Sequence, residues 1–336
     1  MYSVDVIIPS YKPDQKLRKL LELLLRQSYP IQKIIIINTE KSLLDPTLIP
    51  EDTRISVTHI RKEEFDHGAS RNLGVSKSDA ALFLMMTEDA VPKDTTLVEK
   101  LVRVFETDPY TNAAPKNHPR GPIGAVYGRQ LATQESSYDE QYARQFNYPA
   151  QSFVKTQQDI ARLGIKTYFE SNVCCMYRRD IFDRLGGFID HTIFNEDMIY
   201  CGKLLQAGYA SAYEASAEVY HAHHYSGCQQ FHRNFDLGVS QADHPEIFGG
   251  LRSEGEGVKL VLGNAKDLIR HGRLLTVPNL VWKSGCKYLG FRMGRNYRKL
   301  SRRMVLRCTM NPRYWAHTDG SIELHEDGSA CRKNRR

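Results

Sequence analysis

VDVIIP (residues 4–9), QKLRKLLELLLRQ (15–27) and KIIIIN (33–38) set the reading of the fold. The two short apolar runs read as strands, and the stretch between them places leucine at helical spacing with Lys, Arg and Glu opposite. Outward from this unit, ISVTHI (55–60) and AALFLMM (80–86) read as further strands, with a shorter helix expected over 68–77. Strands alternating with helices predict an α/β protein with a mostly parallel, doubly wound sheet. Farther along, 125–131 and 172–177 read as strands, 137–163 as helical pieces, and 107–124 as a loop rich in Pro, Asn and Gly. A helix over 179–185 stops at Gly186-Gly187. Another, with Asn195 as its expected N-cap, runs to Gln206 and closes at Gly208.

The 336 residues carry 46 Lys+Arg against 39 Asp+Glu, a net charge of +7, with 41% hydrophobic residues. This ordinary globular composition excludes a disordered chain and a mini-protein; it suits one large α/β domain with an appendage, or two modest domains. The seven cysteines are odd in number and form no C-x-x-C pair, which predicts reduced thiols in a cytosolic protein. No run approaches the ~20 apolar residues of a membrane span, and MYSVDVIIPS lacks the features of a signal peptide. The basic charge is local. Residues 268–318 hold twelve Lys/Arg and no Asp or Glu, so the rest of the chain sums to 7 − 12 = −5.

In a doubly wound sheet the ligand lies beyond the carboxyl ends of the strands. Those positions are Ser10-Tyr11, Thr39-Glu40, Arg61 onward and Thr87-Glu88-Asp89. The first turn, PSYKP, has no glycine, so neither the dinucleotide fingerprint nor the P-loop is present. Glu88-Asp89 offers hard oxygen ligands for a divalent cation on a diphosphate, or an acidic pair capping a turn. Glu196-Asp197, near the first turn of a helix, supplies a general base or plain helix-terminal charge. FDHGASRNLG (65–74) sets Asp66, His67 and Arg71 at a helix start, where backbone N–H groups and an arginine meet a phosphate, or where Asp66 simply caps the helix. In VYHAHHYS (219–226), His221 and His223 share one face of an extended segment and His224 takes the other; a metal site is conceivable, though zinc spacing is lacking. Cys174-Cys175 reads as apolar packing.

Taken in order, VIIPSY, ASRNLG, TEDA, GGF, NED and H-A-H resemble the nucleotide-sugar-dependent inverting glycosyltransferases of family 2, which have the GT-A fold; the match runs over residues 3–235. FDHGASRNLG, TEDAVP and KYLGFRMGRNYRKL are similar more narrowly to a bacterial rhamnosyltransferase branch. The resemblance implies that Pro9, Ser10, Tyr11, Thr39 and Glu40 line the base and ribose pocket. It also implies that Arg71 contacts the nucleotide with Asp66 and His67 nearby. Thr87-Glu88-Asp89 stands where relatives carry D-x-D, which aligns Asp89 with the ligand of Mg²⁺ or Mn²⁺ and Glu88 with the variable middle position. His223 or His221 would complete the coordination, and of the pair Glu196 and Asp197 the aspartate would be the catalytic base. The implied donor is dTDP-L-rhamnose, with a UDP-hexose as the alternative, and the implied acceptor is a cell-surface polysaccharide or lipid-linked glycan. Rivals of another class are an inactive nucleotide-sugar-binding protein or a nucleic-acid-binding protein; no base-reading motif is present, and no nucleic-acid partner is expected.

The expected organisation is a GT-A catalytic domain over 1–235, a basic helical region over 236–318 and a disordered tail over 319–336. Basic charge interleaved with Trp282, Tyr288, Phe291 and Tyr297 suits an anionic membrane surface, a packed helical appendage, or nucleic acid. The expected location is cytoplasmic, peripheral at the inner face of the plasma membrane.

Overall fold

A computed structural model of the chain describes residues 1–114, 120–222, 225–251 and 254–316, with the backbone of 323–324 and 330–331. The residues divide into two compact units: Met1–Asp190 with Glu196–His223, and His191–Asn195 with His224–Arg336.

The first unit is built on β1 (Val4–Tyr11), α1 (Gln15–Leu25), β2 (Lys33–Thr39), β3 (Ile55–Ile60), α2 (His67–Ser76) and β4 (Leu82–Met86). It continues through β5 (Val91–Pro92), α3 (Leu97–Glu106), β6 (Ile123–Leu131), α4 (Tyr138–Asn147), β7 (Phe153–Lys155) and α5 (Ile160–Leu163). It ends with β8 (Cys174–Arg178), α6 (Arg179–Arg184), α7 (Glu196–Gln206) and β9 (Ala210–Tyr220). The sheet order is β3-β2-β1-β4-β8-β6-β9-β5, with β7 also on β9. Strands β1 to β4 are mutually parallel, as is the pair β6 and β9; β8 runs antiparallel between β4 and β6. The mostly parallel sheet thus has a reversed strand at its middle, and short antiparallel strands β5 and β7 along β9.

Both sheet faces are covered, which is why the strand sequences are apolar without alternation. On one face lie Leu17, Leu20, Leu21 and Leu24 of α1 and Leu97, Leu101 and Phe105 of α3, against Val4, Val6 and Ile8 of β1. On the other lie Val75, Phe182, Tyr200 and Leu204, against Ile7, Ile35, Phe83 and Tyr177. Asp14 caps α1 through the backbone N–H of Lys16. Cys174 and Cys175 are buried strand residues, and burial pushes the Cys174 thiol up to about 12, in keeping with apolar packing. Asn195 precedes α7 at φ 66, not in the extended backbone usual for an N-cap.

The second unit contains α8 (Gly227–Asp243), α9 (Pro245–Phe248), α10 (Glu254–Arg270), α11 (Val277–Arg295) and α12 (Arg302–Cys308). Here α8 and α11 pack almost backbone to backbone. A Cβ on Gly294 would stand 2.0 Å from the Phe235 carbonyl oxygen, so no other residue fits the crossing. Phe235, Val239, Tyr297, Val305 and Trp315 form its core. The division between units falls at His223/His224 rather than at 235, because α8 is one continuous helix that belongs with α11. Of the tail over 319–336, the described pieces Glu323–Leu324 and Ala330–Cys331 pair as an antiparallel ribbon; the remainder lies outside the described residues.

Candidate functional site

The carboxyl ends of β1, β2 and β4 bring together the residues that the strand-end rule selects. Strand β1 runs two residues past Pro9, so Ser10 and Tyr11 still belong to the ladder, opposite Asn38 and Thr39. Ser10 Oγ donates to Glu88 Oε2 at 2.6 Å and the Tyr11 N–H donates to the same oxygen at 3.1 Å. Burial pushes the Glu88 carboxyl up to about 7, against the pull of these two donors. Tyr11 is exposed, with Lys12 and Lys62 each 5.4 Å from its ring centroid. Its hydroxyl is lowered, chiefly by Lys62. Glu40 takes the left-handed φ of 67, and its Oε1 accepts from the Lys62 N–H at 2.5 Å, tying the turn after β2 to the turn after β3. Thr39 is buried, and so is Thr87 Oγ1, which has no hydrogen-bond partner among the described residues.

The short turn from β4 to β5 carries Asp89 toward the end of β9, since Val91 pairs with Tyr220. Asp89 Oδ2 therefore lies 3.5 Å from His221 Nε2. Burial lowers the imidazole, against the pull of Asp89, which favours the neutral ring a metal needs. On its other side, His221 Nδ1 is 2.9 Å from Gln130 Oε1 and 3.1 Å from Arg144 Nη2. Arg144 Nη1 also donates to Gln130 Oε1, and Gln130 Nε2 donates to Ser171 Oγ at 3.0 Å. Two donors at about 2.1 Å from one ion stand ~3.0–3.5 Å apart, so Asp89 and His221 fit a divalent cation. No group of three His, Cys, Asp or Glu gathers among the described residues. His223 lies outside the described residues.

At the start of α7, Asp197 and Glu196 have opposite surroundings. Asp197 Oδ2 accepts from the Asn172 N–H at 3.2 Å and Oδ1 from the Met198 N–H at 2.8 Å. Burial, then the Glu196 charge, pushes its carboxyl up to about 7. Glu196 is buried too, yet Arg71 and His67 outweigh the burial and hold it below the usual carboxylate range. Arg71 Nη1 is 3.3 Å from Glu196 Oε1, and Asn172 Nδ2 donates to that oxygen at 3.0 Å.

Arg71 is expected to face a nucleotide; instead its guanidinium is turned inward, Nη1 donating to the His67 carbonyl at 2.8 Å as well as pairing with Glu196. Asp66 is a cap: Oδ1 accepts from the N–H groups of Gly68 and Ala69, each at 2.9 Å. His67 packs edge-on to Phe65 at 5.1 Å. The glycine that follows them is required by contact, since a Cβ at Gly68 would stand 1.7 Å from the Ile189 carbonyl oxygen. Gln130, Arg144 and Asn172 are absent from the sequence reading. The strand-end rule reaches Gln130, one residue from the end of β6, whereas nothing local marks Arg144 or Asn172.

The mostly parallel sheet with its candidate site on the carboxyl edge, the family profile and the likeness to a solved structure together make this a protein of the GT-A fold. It belongs to glycosyl transferase family 2, whose sequence profile matches residues 5–186. The chain is similar to the O-antigen chain rhamnosyltransferase RfbN of Salmonella typhimurium strain LT2, with 34% identity over 316 residues, 93% of this chain and 96% of that one. It is 32% identical over 320 residues to the O-antigen chain rhamnosyltransferase WbaN of Salmonella anatum, covering 94% and 96% of the two chains. Among solved structures, the mannosyltransferase PcManGT from Pyrobaculum calidifontis, in complex with GDP-Man and Mn²⁺, matches with a TM-score of 0.58 over 88% of this chain and 87% of that one; at 14% identity this is a likeness of fold.

Proposed function

We propose that the protein transfers L-rhamnose from dTDP-L-rhamnose, with inversion, to a growing cell-surface polysaccharide or lipid-linked glycan. Similarity along almost the whole length of two proteins named as O-antigen chain rhamnosyltransferases supports the sugar and the acceptor class. The chemistry is carried by the placement of Asp197 at the start of α7, where its carboxylate accepts from the Asn172 and Met198 N–H groups and burial with the neighbouring Glu196 charge raises it above the usual carboxylate range. A general base poised near the working pH takes the proton of the acceptor hydroxyl as it attacks the anomeric carbon. Glu196, occupied by Arg71 and Asn172, holds the pair in place. Ser10, Tyr11, Thr39 and Glu40 bind the nucleoside, with Lys62 beside the Tyr11 ring. Asp89 and His221 hold Mg²⁺ or Mn²⁺, which when bound neutralises charge on the leaving diphosphate.

The test is release of nucleoside diphosphate from dTDP-rhamnose, UDP-glucose, UDP-galactose and UDP-N-acetylglucosamine, with Mn²⁺ and with EDTA. Turnover confined to dTDP-rhamnose and lost in EDTA is expected; turnover of a UDP-sugar discards the rhamnose assignment. Asp89→Ala is expected to weaken Mn²⁺-dependent donor binding at least tenfold by calorimetry, and unchanged affinity removes Asp89 from the metal site.

The second unit supports contact with an anionic membrane surface. No helix among the described residues is long and apolar enough to cross a membrane. Yet α10, α11 and the turn joining them expose Leu262, Leu274, Leu275, Val281, Trp282 and Leu289, within and beside the segment that has twelve cations and no carboxylate. Each Lys or Arg near such a surface contributes ~1 kcal/mol. The full chain is expected to co-sediment with phosphatidylglycerol vesicles and to lose this with Leu274→Ser, Leu275→Ser and Trp282→Ser combined. Equal sedimentation of wild type and variant would refute the contact.

A further inference from the structure

On the β6 and β9 side of the Asp89–His221 pair lies a cavity of about 480 Å³, within the ~300–1,000 Å³ range of small-ligand clefts. Its walls are the carboxyl end of β6 with the turn after it, one face of α4, and Tyr220 at the end of β9. Gln141, Arg144, Gln145 and Tyr148 share that face because their spacing follows the helical repeat. No Asp or Glu lines it.

Two arginines do line it, and both are committed elsewhere. Arg129 Nη1 lies 3.3 Å from Glu218 Oε1 and its Nε donates to the Tyr148 carbonyl at 3.2 Å. Arg144 is held by Gln130 and His221. With Glu218 beside Arg129 and Glu140 Oε1 3.9 Å from Arg144 Nη2, the lining offers the amides of Gln134 and Gln145, the Oε1 of Gln141, whose Nε2 donates to the Ser136 carbonyl, and the Tyr220 ring. Side-chain amides both donate and accept, as vicinal hydroxyls do, and an exposed aromatic ring gives an apolar face to the C–H side of a pyranose.

We propose that this cavity is a subsite for neutral sugar units of the acceptor glycan. The proposal rests on the reading of the protein as a sugar-nucleotide transferase with its metal at Asp89 and His221. Sheet order places the residues assigned to the nucleoside at the ends of β1 and β2, and the cavity at the ends of β6 and β9, beyond β4 and β8. Its floor, Gln130, touches His221, so a glycan seated there lies next to the departing diphosphate.

The experiment compares wild type with the Gln134→Leu, Gln145→Leu double variant, whose side chains are exposed and take no part in the donor site. Binding of rhamnose-, mannose- and galactose-terminated neutral trisaccharides, and of a uronic-acid trisaccharide, is measured by calorimetry with donor affinity in the same samples. Wild type is expected to bind a neutral trisaccharide, and the variant about tenfold more weakly, the loss of two hydrogen bonds. Donor affinity is expected to stay unchanged, and KM for the acceptor to rise without a change in acceptor-free donor hydrolysis. Equal binding by both proteins, preference for the uronic acid, or no saccharide binding by wild type would overturn the subsite while leaving the functional reading intact. Failure of wild type to bind any nucleotide sugar would overturn that reading, and the subsite with it.

Discussion

Asp197→Asn is expected to lower sugar transfer by about 10²–10⁴-fold, the usual contribution of a positioned general base, with donor affinity nearly unchanged. Asparagine keeps the shape but has one acceptor oxygen, so it accepts from only one of the Asn172 and Met198 N–H groups, and the variant removes the basic oxygen together with one of these two hydrogen bonds. Transfer at near wild-type rate would show that another group takes the proton. In the wild type the carboxyl at about 7 must be ionised to act, so transfer falls as pH drops through 7. Stability moves the opposite way. The folded-state value lies above the unfolded ~3.9, so folding is unpenalised below ~4 and loses free energy as pH rises through 7. Asparagine is neutral throughout. Thermal melts should therefore show the variant no more stable than wild type near pH 4 and gaining on it as pH rises through 7, by a few kcal/mol at most, one pKa unit being ~1.4 kcal/mol.

The parallel half of the sheet was legible because β1, α1, β2, β3 and β4 each carry an undiluted local pattern in a short stretch, and strand ends then point to Ser10, Thr39 and Asp89 by topology alone. The family followed from motif order, and the match over 5–186 bears it out. The helix Leu97–Glu106 has no counterpart in the sequence-based expectation, although Leu97, Val98, Leu101, Val102 and Phe105 are all buried at helical spacing. Chain pattern did not reveal that β8 enters antiparallel between β4 and β6, since apolar period is indifferent to strand direction. Distant pairings were the least visible. Arg71 meets Glu196, and Gln130 and Arg144 meet His221, across long stretches of chain whose local sequence gives the arginine no reason to turn inward. Asp66 illustrates the converse, a residue whose capping role was written in the next three positions.

Glu196→Gln separates the two carboxyls at the start of α7. Arg71 and Glu196 are both buried, with side-chain exposures of 9% and 7%, and removing one member of such a pair costs about 3–5 kcal/mol because the other charge stays buried. A stability loss of that order is expected by calorimetry. The same change should favour rather than abolish ionisation of Asp197, because the Glu196 charge is one of the two causes that raise it and Arg71 pulls it down. With Glu196 neutral, Asp197 becomes the nearest counter-charge for Arg71, so the acid limb of the pH–rate profile should move below 7. The destabilisation should then shrink as pH rises above the new value. A profile that collapses without shifting, with rates as low as those of Asp197→Asn, would instead make Glu196 the base and Asp197 its neighbour. Either carboxyl fits the position along the helix; the proposed assignment rests on Glu196 being neutralised by an arginine from α2, while the Asp197 carboxylate is held among the described residues by backbone N–H groups.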